Sequence, residues 1–432
     1  MAGRNSVCYA ELRDVKGRLG GFCVYRDSLE RETLKARNAD QQLVKQMNTA
    51  LVVDVLRQFG PLSRAEVSRM TNLTKVTVST IVRDILQRKI VREIGLGTTT
   101  SHGGRRPTLL ELIPESFFAV GIDIGTTSVK VVLTNLTGAV ISEASAPTVS
   151  HDSLDKLLEE IVRIVRQVLR EAGVSVEELK GVGVAAAGIV KSETGFVVFS
   201  PNFGWRSIQL KRILEDELRV PVFVDNCTRV MAKGEIWFGC GKDVMNMLYL
   251  NIGYGIGSAM VVRGSVAGND SELGHIRLSP TGPPCRCGGT GCLETLASGS
   301  AIEARAKESL DGRSDSGLIE ALGDSTRSVT VKELAEAAAN GNALAQEIFR
   351  EAGLYLGEAI AVAVSVLRPE LVVIGGGVSQ TGEPLLQPVL DGFRTNVMPD
   401  LHVDIVLSPL GQRAGVLGGA SLVLDAEFGV SR

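Results

Sequence analysis

Nowhere in the 432 residues does an uninterrupted apolar run approach the ~20 residues that cross a bilayer, so no membrane span is expected. The opening segment carries Arg4, Glu11, Arg13, Asp14 and Lys16 and lacks the apolar stretch of a secretory leader. Cysteine is scarce. There are seven, three of them crowded between 285 and 292, which fits a reducing compartment better than a disulfide framework. A cytoplasmic location is the expectation. With 44% hydrophobic and 22% charged residues the composition is ordinary for a globular protein, and the length is enough for two or three domains.

The cysteines that are present lie close to a histidine. His275, Cys285, Cys287 and Cys292 fall in the stretch GHIRLSPTGPPCRCGGTGCLE. Three thiols and one imidazole complete a tetrahedral zinc shell. Pro283, Pro284, Gly288, Gly289 and Gly291 between them rule out a helix or a regular strand interior, so the segment is a loop that needs a staple. A structural Zn2+ supplies one, replacing the packing the loop lacks. With four protein ligands there is no open position for metal catalysis.

Charge is distributed unevenly. Residues 41–110 carry eleven Lys and Arg against four Asp and Glu, whereas 111–432 carry a net −12. A small basic segment on a large acidic body suggests a head that binds a polyanion. Within it, Val44, Met47, Leu51, Val55 and Phe59 have helical spacing, ended by Gly60-Pro61. Ser63-Arg64-Ala65-Glu66 is a capping box opening a short second helix to about Met70. The turn TNLT leads to a third helix from about Lys75 to Arg88, with Val78, Ile81, Val82 and Ile85 inside and Lys75, Thr77, Ser79 and Thr80 outside. This is a helix-turn-helix, and IVREIG, GLGTTTSHGGRRP and TLLELI follow as strand, loop and strand of a wing. Lys75, Thr77, Ser79 and Thr80 suit a major groove, and Arg105 and Arg106 a narrow minor groove. The division expected is a charged extension at 1–40 (a disordered arm or a short helix, with no function assigned), a winged helix-turn-helix at 41–112 and a body at 113–432.

From Phe117 strands and helices alternate. FFAVGIDIG, SVKVVLTNL and AVISEASAP read as an antiparallel run, and 154–173 as an amphipathic helix closed by Gly173. GVGVAAAGIV and PVFVDNCT read as further strands, VMAKGEIWFG as a helix, and MNMLYLNIGYGIGSAMVVRG as strand, turn and strand. Two long helices, the strand LVVIGGGV and a last helix near AGVLGGASLVL complete the chain. DIGTTSVK and NIGYGIGSAM are similar beginnings of two α/β halves. Their glycine turns can present amides to a phosphate, and paired halves of this kind bind nucleotide or sugar in the cleft between them. Asp123, Gly125, Thr126, Gly255, Gly257 and Gly376 are the residues through which a vestigial nucleotide site would persist.

The ordered set SRAEVSRMTNLTKVTVSTIV, GGRRP, DIGTTSVK, SPNFGW, VDNCTRVMAKGE, ELGHIRL, CRCGGTGCLE and VVIGGGV resembles the ROK family of repressors and sugar kinases, in its NagC/XylR-type transcriptional-regulator branch. The likeness covers about 43–425. It implies an α/β chain in which an N-terminal winged helix-turn-helix precedes an actin/hexokinase-like two-lobed body. It also implies that Asn226, Glu272, His275 and Glu294 meet sugar hydroxyls, with Asn202 lining the pocket. A zinc-bound imidazole keeps one nitrogen free for that task.

One position departs from the family's kinases. Their general base is the Asp of an Asn-Asp pair, and here Cys227 follows Asn226, while Asp225 precedes it and by alternation faces away. A thiol is a poor base there. The first turn also has Gly125-Thr126 where the kinases usually have two glycines. The expected function is therefore a sugar-responsive transcriptional regulator, a repressor of carbohydrate uptake or catabolism genes. It would be a homodimer or homotetramer that binds operator DNA and a monosaccharide or sugar phosphate, without an ATP requirement and without enzyme activity. The alternatives are an ATP-dependent sugar kinase with a DNA-binding head, and a regulator controlled by a docking protein.

Overall fold

The computed structural model describes residues 44–97, 106–148, 153–268, 271–312 and 329–428. The charged extension and the wing tip with Arg105 lie outside the described residues. The head begins with helix α1 (44–59). Ser63 then caps α2 (Arg64–Thr71): its hydroxyl accepts from Glu66 N at 3.3 Å while the Glu66 carboxylate accepts from Ser63 N at 2.8 Å, the reciprocal pair expected. Helix α3 (Lys75–Gln87) is capped by Thr74 and ends at Arg88. Strand β1 (Leu62–Ser63) pairs with β3 (Thr108–Leu112), which pairs with β2 (Val91–Leu96), all antiparallel.

The body holds two five-stranded sheets of matching order. In the first, β4 (Phe118–Ile124), β5 (Ser128–Asn135) and β6 (Val140–Pro147) form an antiparallel meander, and β7 (Leu179–Ala186) and β11 (Val222–Asn226) join parallel beyond β4. In the second, β12 (Met247–Ile252), β13 (Ile256–Val262) and β14 (Ser265–Val266) form the meander, and β15 (Leu371–Gly375) and β16 (Asp404–Leu407) join parallel beyond β12. The two similar beginnings read in the sequence are thus the first hairpins of two equivalent sheets.

One expected strand is broken. GVGVAAAGIV divides into β7 and β8 (Ile189–Lys191), because Gly188 turns the chain at φ +109°. A Cβ at Gly188 would stand 2.3 Å from Phe199 O, so the position admits no side chain. β8 pairs with β9 (Phe196–Ser200), and β9 with β10 (Trp205–Ile208), in a small sheet absent from the sequence-based expectation.

Helices α4 (Leu154–Ala172) and α5 (Leu210–Leu218) pack on the first sheet, with Ile161, Val165, Val168, Leu210 and Leu214 in its core. Helices α7 (Leu293–Ala297), α8 (Gly299–Gly312), α9 (Val331–Ala339), α10 (Ala343–Leu367) and α11 (Glu383–Asn396) serve the second. Helix α6 (Cys227–Phe238) touches strands of both sheets and crosses α12 (Ala414–Phe428). Close packing of α12 on the first sheet depends on Gly183 and Gly419, where a Cβ on Gly183 would lie 1.8 Å from Gly419 O.

Head and body share a core. Val52, Val53, Leu56, Val67, Val78, Ile85 and Leu110 cluster with Phe117, Leu136, Ala420, Val423, Leu424 and Phe428. Arg57 Nη1 donates to Trp237 O at 2.7 Å, with its guanidinium 5.3 Å from the centre of the Trp237 ring. Arg88 pairs with Glu427, and the Phe117 and Phe428 rings lie 5.6 Å apart. No helix among the described residues is long and apolar enough to cross a membrane.

Candidate functional site

Helix α6 begins where β11 ends, and Asn226 makes the join. Its Oδ1 accepts from Thr228 N at 2.9 Å and Arg229 N at 3.3 Å, capping the helix, while Nδ2 donates to Gly188 O at 2.8 Å. The Asn226 amide is therefore pre-oriented by groups on both sides. Gly188 in turn lies against Ser200, so the turn after β9 that carries half-buried Asn202 stands at the same end of the sheet.

Across from it stands the hairpin turn of the second sheet. A Cβ on Gly257 would come 2.2 Å from Thr228 Oγ1, which presses the start of α6 against β13. A Cβ on Gly255 would come 2.3 Å from Glu294 Oε2, and that oxygen accepts from Ile256 N at 2.9 Å. These glycines give Glu294 and α6 room. Gly376 has a different neighbour, Ile252 O, 2.4 Å from where its Cβ would be. The same turn is pinned from outside, since Gly299 N donates to Gly253 O at 2.8 Å.

The cysteine-rich loop precedes Glu294 in the chain. The His275, Cys285, Cys287 and Cys292 ligand atoms all lie within 4.8 Å of one another. Cys287 Sγ is 3.6 Å from Cys292 Sγ, and Cys285 Sγ is 3.5 Å from His275 Nδ1. Zinc–sulfur bonds of about 2.3 Å place sulfurs roughly 3.8 Å apart on a tetrahedron, so the spacing fits such an ion. Facing the other way, His275 Nε2 lies 3.8 Å from Glu272 Oε2, and the Glu272 side chain is largely exposed. His275 and Glu272 are thus neighbours, and Glu294 is bonded to the hairpin turn; an imidazole nitrogen and carboxylates can donate to and accept from hydroxyls.

The position after Asn226 has no base. Burial first, and the charge of Asp123 second, push the Cys227 thiol up to about 11, so it stays protonated at neutral pH. Burial also raises the Asp123 carboxyl to about 6, opposed in part by Lys130. Asp225, adjacent in sequence, is buried, accepts from Asn226 N at 2.7 Å and pairs with Arg229 at 3.3 Å. The first turn is closed on itself: Gly125 N donates to Ser128 O at 3.1 Å, and Thr148 Oγ1 to Gly125 O at 2.7 Å, with Thr126 half-buried.

On the head, Lys75, Ser79, Thr80 and Arg106 are exposed as expected. Thr77 is only half-exposed, because its hydroxyl bonds that of Thr74 at 2.9 Å. Further residues of this helix are exposed that the sequence reading did not name. Val76 is 77% exposed on the outer face of α3, and Arg83 is exposed one turn beyond Thr80. The outward direction of both follows from the helical spacing of the buried Val78, Ile81, Val82 and Ile85. The joint made by Arg57, Trp237 and Asp425 was also unread, being assembled from three distant segments.

Comparison with known proteins bears on each part. The model of the ROK family matches residues 119–426. A xylose repressor of Caldicellulosiruptor bescii is 30% identical over 394 residues, which span 89% of this chain and 96% of that protein. A glucokinase of Halalkalibacterium halodurans is 36% identical over 316 residues, or 71% of this chain and 95% of that protein. Among solved structures, a ROK family transcriptional regulator, a homolog of the E. coli MLC protein, superposes with a TM-score of 0.75 at 26% identity. It covers 89% of this chain and 97% of that one.

Proposed function

This chain belongs to the ROK family, and from that premise we propose that it is a sugar-responsive transcriptional regulator, a repressor whose head binds operator DNA and whose cleft binds a monosaccharide or sugar phosphate. The observation that carries the reading is the thiol of Cys227, held protonated where phosphoryl transfer would need a base. The extent of similarity supports it too, since the xylose repressor matches head and body while the glucokinase matches a stretch the length of the body.

In this proposal Asn226, Glu272, His275 and Glu294 hold the sugar hydroxyls, with Asn202 at the rim. The metal is zinc, because three thiolates and an imidazole are the donor set that ion takes. Bound zinc would be structural: it would tie the loop, and Nδ1 of His275 with it, so that Nε2 faces the sugar. Asp123, Gly125, Thr126, Gly255, Gly257 and Gly376 are remnants of a nucleotide site that now serve packing. Lys75, Thr77, Ser79, Thr80, Arg105 and Arg106 meet DNA. A dimer or tetramer presents two heads to a two-part operator.

Helix α6 joins the two events. It starts at Asn226 and ends at Trp237 and Phe238, where Arg57 of the head is seated. Asp425 of α12 holds both Lys233 and Trp237 Nε1 of that helix, the second at 2.6 Å. Sugar that favours one position of α6 favours one position of the head, and DNA affinity changes by the difference in sugar affinity between the two states.

The test uses the full chain, duplexes selected from a random library, and gel shifts with a panel of monosaccharides and their phosphates. Sequence-specific binding that one sugar class alters is the expected result, and no specific duplex under any condition ends the reading. The glucokinase match favours a second reading, an ATP-dependent sugar kinase with a DNA-binding head. Sugar-dependent ADP release across hexoses, pentoses and N-acetyl sugars would establish it in place of the first.

A further inference from the structure

The outer face of α3 has less hydrogen-bonding capacity than its composition suggests. Thr74 Oγ1 accepts from Thr77 N at 3.1 Å and bonds Thr77 Oγ1 at 2.9 Å. Thr80 Oγ1 donates to Val76 O at 3.1 Å. All three threonine hydroxyls are engaged within the head. What projects from the first turn between Lys75 and Ser79 is the Val76 isopropyl group, 77% exposed, while the neighbouring valine of the same helix, Val78, is fully buried.

We propose that Val76 is a specificity-determining residue that packs against the 5-methyl group of a thymine in the major groove. The inference rests on the DNA-binding reading above and adds what the head reads. Charge argues for this occupant. Residues 41–110 carry eleven basic and four acidic side chains, and Lys75, Arg83 and Arg106 are exposed, so this surface suits a polyanion and repels a second copy of itself. Position argues for it as well, because base contacts in helix-turn-helix proteins come from the first residues of the recognition helix. Chemistry then selects the base: thymine alone presents a methyl group on the major-groove edge, and an aliphatic side chain can recognise nothing else there. Lys75 and Arg83 flank the contact and position it on phosphates.

The experiment uses duplexes selected from a random library by the full chain. Each thymine of the selected half-site is replaced in turn by uracil, which removes only the methyl group. At one thymine per half-site, uracil should weaken wild-type binding about fourfold, the worth of one buried methyl. Val76→Ala should bind the thymine duplex about as weakly as wild type binds the uracil duplex, and should lose no more on uracil substitution. The variant keeps its fold, since alanine favours helix and the site is exposed, and an unchanged melting temperature checks this. If every uracil duplex binds wild type as tightly as its parent, or if Val76→Ala still prefers thymine, Val76 does not read the methyl although the head binds DNA. If no sequence is selected at all, the DNA-binding reading falls and takes this inference with it.

Discussion

The recognition helix stands on Val78, Ile81, Val82 and Ile85, all buried, in a core that runs on into α12 of the body. The cysteine-rich loop has nothing of the kind: residues 286–290 are all exposed, and its bridges are the isolated pairs Arg277 with Cys292 and Pro284 with Thr290. The helix is held by apolar burial spread over many side chains. The loop brings together four atoms that could hold a metal ion. Loss of one side chain would weaken the first by degrees, whereas a loop tied by a metal would fail at a single ligand.

Removing one ligand atom should therefore have the largest effect and leave the head alone. Cys287→Ser is expected to lose stoichiometric metal by elemental analysis and to weaken sugar binding by about 100-fold, while sugar-free DNA binding persists; retained metal would contradict the assignment. The equivalent insult to the head is graded. Leu110→Ala empties a fully buried site in the shared core and should cost about 2–5 kcal/mol in thermal or denaturant unfolding, with metal content intact.

Between the two surfaces lies the joint. Asp425→Asn weakens its hold on Lys233 and Trp237. Sugar affinity and DNA affinity measured separately should each stay near wild type, whereas the effect of sugar on DNA binding should shrink by about fivefold or more. An undiminished response would show that α12 plays no part in the coupling.

Acid and base should separate head from body as well. Burial holds Asp123 at about 6, above the usual carboxylate range, so its contribution to stability is present below the unfolded value and lost as pH rises through about 6. Glu66 is lowered by its bonds to Ser63, so its contribution is present above the unfolded value and lost as pH falls through the folded one. Melting curves at pH 5 and pH 8 should show Asp123→Asn closing much of the difference, and an unchanged difference would mean that Asp123 is solvated. The smallest change is electrostatic. Lys75→Ala and Arg106→Ala should each reduce the slope of log affinity against log salt by about 0.9; unaltered slopes would remove both from the phosphate contacts.

Much of this architecture was legible beforehand because local signals agreed with tertiary ones. Ser63 and Glu66 announce their cap three residues apart, Gly173 ends α4 with φ +68°, and Val78, Ile81, Val82 and Ile85 keep one face of α3. The sheet of β8, β9 and β10 was not legible, because its strands have three to five residues and the glycine between β7 and β8 sits in an unbroken apolar run. At the site, His275 and the three cysteines declare themselves by type and spacing. The bond from Asn226 Nδ2 to Gly188 O, and the use of Gly255 as clearance for Glu294, do not, since each depends on a partner at least 38 residues away.

By itself the sequence determined the parts of this protein: a basic helix-turn-helix, a loop whose histidine and cysteines could hold a metal, two halves begun alike, and a thiol after Asn226. Those are local properties, set by side-chain chemistry and by periods of two and 3.6 residues. Only the tertiary structure decided that one twelve-residue helix runs from that asparagine to Trp237, where Arg57 of the head is seated. Such relations depend on which distant backbones approach closely enough to share a hydrogen bond or exclude a Cβ, and no pattern along the chain encodes that distance.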